Sequence, residues 1–127
     1  MSEIPSALRY TKDHEWVKLE GDTALIGITE FAQSELGEIV FVELPDIASQ
    51  ISKGDSFCVV ESTKAASDVY CPIEGEVLEV NSELENAPDL VNTSPFENGW
   101  LVKLKGVSAD SLEGLMTPEE YSKHINA

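Results

Sequence analysis

Phe57-Cys58-Val59-Val60-Glu61-Ser62-Thr63-Lys64-Ala65-Ala66-Ser67-Asp68-Val69-Tyr70-Cys71 places two β-favouring arms around a centre of small and polar side chains. Such a pattern predicts a hairpin or sharp reversal. Lys64 stands at its middle, one of only eight Lys and Arg residues in the chain. Most turn lysines only keep an edge soluble, but Thr63, Ala65 and Ala66 are short and leave this amine unshielded. A lysine presented in that way suits covalent attachment of a swinging group. If Lys64 and Ala65 form the tip, Cys58 and Cys71 fall opposite one another, and a cross-strand disulfide becomes conceivable. The two cysteines match neither a zinc spacing nor a CxxC motif, and the expectation is a pair of small, buried, reduced thiols.

Outward from this hairpin, punctuation marks the other elements. On the N-terminal side, Gly54-Asp55 is a turn, and Glu38 to Leu44 is a β run that Pro45-Asp46 ends. Thr29 offers an N-cap, Glu30 a carboxylate for the first turn and Gly37 a C-terminal stop, so residues 30–36 are predicted as a short helix. His14 to Glu20 alternates apolar and polar residues, Gly21-Asp22 turns the chain, and Thr23 to Ile28 returns as a second strand. His14 reads as a structural histidine, because His124 is remote in sequence. On the C-terminal side, Pro72 interrupts any ladder and Gly75 permits a close backbone approach. Glu76 to Val80 is a strand, 81–94 a long connection, and Gly99 to Lys105 the last strand. From Ser108 the spacing is helical, with Thr117-Pro118-Glu119-Glu120 as a capping box and Tyr121 and Ile125 on one face.

Two parts of the β region echo each other. Gly37-Glu38-Ile39-Val40 leads to Gly54 and Phe57-Cys58-Val59-Val60; Gly75-Glu76-Val77-Leu78 leads to Gly99 and Leu101-Val102-Lys103-Leu104. The second copy carries an insertion in its connection. The echo implies two similar antiparallel sheets packed face to face with quasi-two-fold symmetry.

At 127 residues the chain fits one domain, residues 1–127, with a β core over about 14–105 and a C-terminal helical segment over about 108–125. Twenty-four acidic residues against eight basic give a net charge of −16, which argues against nucleic acid or an anionic membrane as partner. No apolar run is long enough to span a bilayer, and MSEIPSALRY has the features of neither a signal peptide nor a presequence, so a cytoplasmic location is expected.

Glu61-Ser62-Thr63-Lys64-Ala65, then Ser67-Asp68-Val69 and Pro72-Ile73-Glu74-Gly75-Glu76-Val77, resembles the lipoyl-lysine region of the glycine cleavage system H proteins. The similarity extends to Tyr10-Thr11, His14-Glu15-Trp16-Val17, Ile26-Gly27-Ile28-Thr29, Leu36-Gly37 and Val40-Phe41-Val42-Glu43-Leu44-Pro45. It continues through Asn81, Leu84, Pro88, Asn92, Pro95, Gly99-Trp100 and Glu120-Tyr121. Thr63 replaces the valine usual before the lysine. The glycine usual after the Leu-Pro pair is missing from Asp46-Ile47-Ala48-Ser49-Gln50, which leaves the shape of that loop open.

The resemblance implies a mainly β fold, the lipoyl/biotinyl-type barrel-sandwich hybrid of two antiparallel sheets, with a short internal helix and a C-terminal helix. It implies lipoate on Lys64, with Glu61 and Gly75 recognised by the modifying enzyme, a lipoate ligase or octanoyltransferase. Glu15, Asp68 and Asp13 would line a cleft for the loaded arm. It further implies a monomeric carrier, not an enzyme. The arm would take an aminomethyl group from the pyridoxal-phosphate glycine decarboxylase to the tetrahydrofolate-dependent aminomethyltransferase and be reoxidised by dihydrolipoamide dehydrogenase. A lipoyl or octanoyl relay to 2-oxoacid dehydrogenases uses the same lysine and stays open, as does a binding module in which Lys64 is only a surface charge. No nucleophile–base pair or metal cluster assembles from the sequence.

Overall fold

The structure, a computed structural model, describes residues 4–125; the extreme ends of the expected domain, residues 1–3 and 126–127, lie outside the described residues. Strands β2 (Glu15–Glu20) and β3 (Thr23–Ile28) pair antiparallel through the Gly21-Asp22 turn, with Glu20 opposite Thr23. Helix α1 (Glu30–Leu36) follows. The Thr29 hydroxyl accepts the Ala32 N–H at its start, and the Gly37 N–H donates to the Gln33 carbonyl at its end. Gly37 has φ 86° and ψ −157°, a region that essentially only glycine occupies.

Then come β4 (Ile39–Glu43), β5 (Gln50–Ile51), β6 (Ser56–Ser62), β7 (Ala66–Tyr70) and β8 (Gly75–Val80). The long connection holds a 3₁₀ turn (Ser82–Glu85) and helix α2 (Leu90–Thr93), and β9 (Val102–Lys105) closes the sheet region.

With β1 (Arg9–Tyr10), two antiparallel sheets result, one of six strands in the order β1-β2-β3-β9-β8-β5 and one of three in the order β4-β6-β7. Their inner faces share one core, in which Ile26, Val77, Leu101 and Leu104 meet Ile39, Val60, Val69 and Cys71. The echo appears as matched antiparallel pairs, β4 with β6 and β8 with β9. The sheets are unequal because the hairpin of β2 and β3 extends only one of them.

Four details differ from the sequence reading. The β region begins before His14, because β1 (Arg9–Tyr10) pairs with Val17 and Trp16. The short β5 lies in what reads as a connection. Only Pro118–His124 of the C-terminal segment is α-helical (α3), after a 3₁₀ turn at Ala109–Leu112; the capping box on Thr117 and Glu120 is present. Tyr121 of α3 stacks on Tyr10 at 4.6 Å between ring centres, closing a second core over Leu8 and Trp16.

The fourth is the hairpin register. Glu61 faces Ala66 and Cys58 faces Val69, so the two central turn residues are Thr63 and Lys64 rather than Lys64 and Ala65. Cys71 therefore does not face Cys58. Both are free and buried, and burial pushes each thiol up to about 12.

Among the described residues no helix is long and apolar enough to cross a membrane.

Candidate functional site

Lys64 sits on a turn that its own neighbours tie. The Ser62 hydroxyl accepts the N–H groups of Lys64 and Ala65 (both 3.1 Å) and donates to the Ala65 carbonyl (3.1 Å). The Ser62 N–H also donates to that carbonyl (2.8 Å). The turn is seated on the corner between α1 and β4, where the Thr63 N–H donates to the Glu38 carbonyl (3.0 Å). The Lys64 side chain is exposed but does not stand in empty space. It lies along Gly37, where an added Cβ would come within 3.1 Å of Cε, and its ammonium donates to the Glu35 carbonyl (3.0 Å) in the last turn of α1. A cation at the negative end of a helix dipole is well placed.

Beside this turn is a cleft of ≈ 240 Å³, walled by Asp13, His14 and Glu15 on one side and Ser67, Asp68 and Val69 on the other. Ile28, Ala32 and Leu36 give it apolar surface, and Glu35 joins it to the seat of Lys64. The three carboxylates expected in an arm cleft are thus brought together. Asp13 and Asp68 are exposed, whereas Glu15 is only 3% exposed. The Thr11 hydroxyl donates to Glu15 Oε1 (2.6 Å) and the Tyr70 N–H to Oε2 (3.3 Å). Burial nevertheless dominates and raises the Glu15 carboxyl from 4.5 to about 7, the two hydrogen bonds opposing it and the charge of Asp13 adding a little. A larger hollow of ≈ 400 Å³ between Tyr10, Lys53, Tyr70 and Met116 also reaches Asp13 and Glu15, but no residue of α1 or of the Lys64 turn lines it.

Glu61 lies on β6, partly buried and opposite Ala66 and Phe41, within the same hairpin as Lys64. Gly75 belongs to the other sheet. An added Cβ there would come within 3.1 Å of Leu104 Cβ and of the Lys105 carbonyl, so close packing of β8 on β9 accounts for the glycine locally.

Sequence reasoning missed the surroundings of His14. His14 has φ 72°, lines the cleft, and stands 5.6 Å from His124 between ring centres. Tyr121 links them to the core, its hydroxyl bonding both His14 Nδ1 (2.9 Å) and Thr29 Oγ1 (2.6 Å). Burial, followed by the charge of His124, lowers the His14 pKa, against Asp13 and Glu35. More than a hundred residues separate the two histidines, and no local pattern signals their meeting.

A family model described as glycine cleavage H-protein matches residues 8–127. The glycine cleavage system H protein of Halothermothrix orenii is 53% identical over 122 residues, covering 96% of this chain and 95% of that protein. That of Staphylococcus saprophyticus is 54% identical, covering 96% and 97%. The crystal structure of a glycine cleavage system H protein from Mycobacterium marinum superposes with a TM-score of 0.89 at 35% identity, covering 98% of this chain and 100% of that one. With the two-sheet fold, the lysine turn and the cleft beside it, these likenesses make the chain a member of the glycine cleavage H-protein family.

Proposed function

We propose that Lys64 carries lipoate in amide linkage and that residues 1–127 act as one monomeric cytoplasmic carrier of the glycine cleavage system, not as an enzyme. The observation that carries this reading is an exposed lysine on a tied turn, bonded to the Glu35 carbonyl, beside a cleft that Glu35 also lines and that gathers Asp13, Glu15 and Asp68. Asp68 lies on β7, four residues beyond Lys64 and just past the turn, so an acyl-lengthened lysine side chain can fold back towards it. Attached there, the lipoyl dithiolane supplies the redox and group-transfer chemistry.

The chain's own residues hold and shield. Burial raises the Glu15 carboxyl to about 7, so it holds its proton to a higher pH than an exposed carboxyl does. A cationic amine brought into the cleft on the arm favours its ionised form, so Glu15 releases a proton and forms a charge-assisted hydrogen bond. Asp13 and Asp68 add negative potential, while Ile28, Leu36 and Val69 exclude water. Glu61 offers the modifying lipoate ligase or octanoyltransferase a charge near Lys64, and Gly75 contributes backbone shape. The −16 charge suits basic docking faces on glycine decarboxylase, aminomethyltransferase and dihydrolipoamide dehydrogenase.

The test is to supply the lipoylated protein to purified glycine decarboxylase with glycine. Glycine-dependent carbon dioxide release and an aminomethylated arm are expected. No release, with acyl transfer to an apo 2-oxoacid dehydrogenase domain instead, would assign the relay role. Glu15→Ala is expected to shorten the half-life of the loaded arm against loss of ammonia, and an unchanged half-life removes Glu15 from the mechanism.

A further inference from the structure

The corner on which the Lys64 turn rests runs from the end of α1 to the first residue of β4. Between the end of α1 and the start of β4, the Gly37 carbonyl and the Ile39 N–H both meet one side chain, that of Asn92. Its Oδ1 accepts the Ile39 N–H (2.8 Å), and its Nδ2 donates to the Gly37 carbonyl (2.8 Å) and to Gln33 Oε1 (2.8 Å). A single amide thus clamps the last turn of α1 to the first residue of β4. Buried or half-buried backbone groups need such partners, and without Asn92 the two main-chain groups would compete for water and loosen the corner.

The placement of Asn92 is itself fixed. Its neighbour Val91 is fully buried, and α2 packs against α1. Gly99 lets the chain close tightly over α2: an added Cβ would lie 2.6 Å from the Leu90 carbonyl and 2.8 Å from that of Ser94. Asn92 belongs to the connection that is longer in the second copy of the internal echo, so that insertion delivers a side chain to the opposite sheet.

The clamped corner carries both backbone carbonyls that hold the turn, Glu38 for the Thr63 N–H and Glu35 for the Lys64 ammonium, and Ile39 pairs with Ser62. We propose that Asn92 is a positioning residue for Lys64: it holds the α1–β4 corner on which the turn is seated and so presents the amine in the one arrangement that an acylating enzyme accepts. This rests on the reading of Lys64 as the acylated lysine. Asn92 touches neither Lys64 nor any acyl donor, and its effect passes through Gly37 and Ile39. Loosening the corner lowers the fraction of molecules whose turn is ready to bind, which weakens apparent affinity without altering the chemical step.

The experiment measures lipoylation of the full chain by a purified lipoate ligase with lipoate and ATP, together with hydrogen exchange of the Thr63 amide. Asn92→Ala is compared with Asn92→Asp, which keeps the acceptor for Ile39 but loses both donors. Asn81→Ala is the control. Asn81 is likewise an amide spent on carbonyls, those of Asn98 (2.7 Å) and Trp100 (2.8 Å), with none in the corner. Expected for both Asn92 variants is a KM for the protein substrate raised about tenfold with kcat unchanged, and faster exchange at Thr63. Asn81→Ala should lose stability yet keep the wild-type KM and Thr63 protection. A wild-type KM in either Asn92 variant, or an equal rise in Asn81→Ala, overturns the proposal. Failure of the wild type to accept lipoate would instead overturn the reading of Lys64.

Discussion

Glu15 is a buried carboxyl of the fold that also lines the cleft beside the Lys64 turn. Its raised pKa means that the folded state binds the proton more tightly than the unfolded chain does. Its contribution to stability is therefore complete below about pH 4.5 and is lost as pH rises towards 7, by roughly 3 kcal/mol in all. Glu15→Gln cannot titrate. Its stability relative to wild type should rise by about that amount between pH 4.5 and pH 8, as urea unfolding at several pH values would show. A constant difference would mean that Glu15 is solvated in the fold. The resemblance pointed to Asp13, Glu15 and Asp68, and the structure places all three in one cleft beside the Lys64 turn. For His14 the structural role was legible but the surroundings were not. Its left-handed backbone and its contact with Tyr121 are set by a helix at the other end of the chain, and no local period encodes that packing.

Elements marked by their own punctuation matched the sequence closely. Thr29 and Gly37 bound α1 at the expected residues, and Thr117 with Glu120 begins α3. β1 and β5 span two residues each, too few for any alternation, and exist because neighbouring strands offer free edges. The hairpin tip falls on Thr63 and Lys64 because the Ser62 N–H and hydroxyl bond the Ala65 carbonyl and close a four-residue turn over 62–65, which sets the register of β6 and β7. The loop lacking the family glycine keeps a glycine-like shape. Ala48 has φ 74° and its N–H reaches the Val77 carbonyl (2.8 Å), so the strain is tolerated to complete a bond to β8. Relief of a left-handed alanine outweighs the added freedom of the unfolded chain, and Ala48→Gly should stabilise by about 0.5–1 kcal/mol in thermal or chemical unfolding. A destabilised variant would show that Ala48 is unstrained.

For the whole molecule the dominant physical fact is charge. With a net −16, its association with a partner that docks through a basic face should be fast at low salt and slow by about tenfold or more between ~20 mM and ~300 mM salt, as stopped-flow binding would record. An association rate indifferent to salt would make the acidity a matter of solubility alone. At one end of the two-sheet core the tied turn presents Lys64, and the proposal that this lysine carries lipoate underlies every other role assigned to the chain. Its most direct test is intact mass with peptide mapping of protein made in lipoate-supplied cells, wild type beside Lys64→Arg. A single lipoyl increment is expected on the Lys64 peptide and none in the variant. Unmodified wild-type protein in the presence of a competent ligase, or an increment that survives in Lys64→Arg, would contradict it.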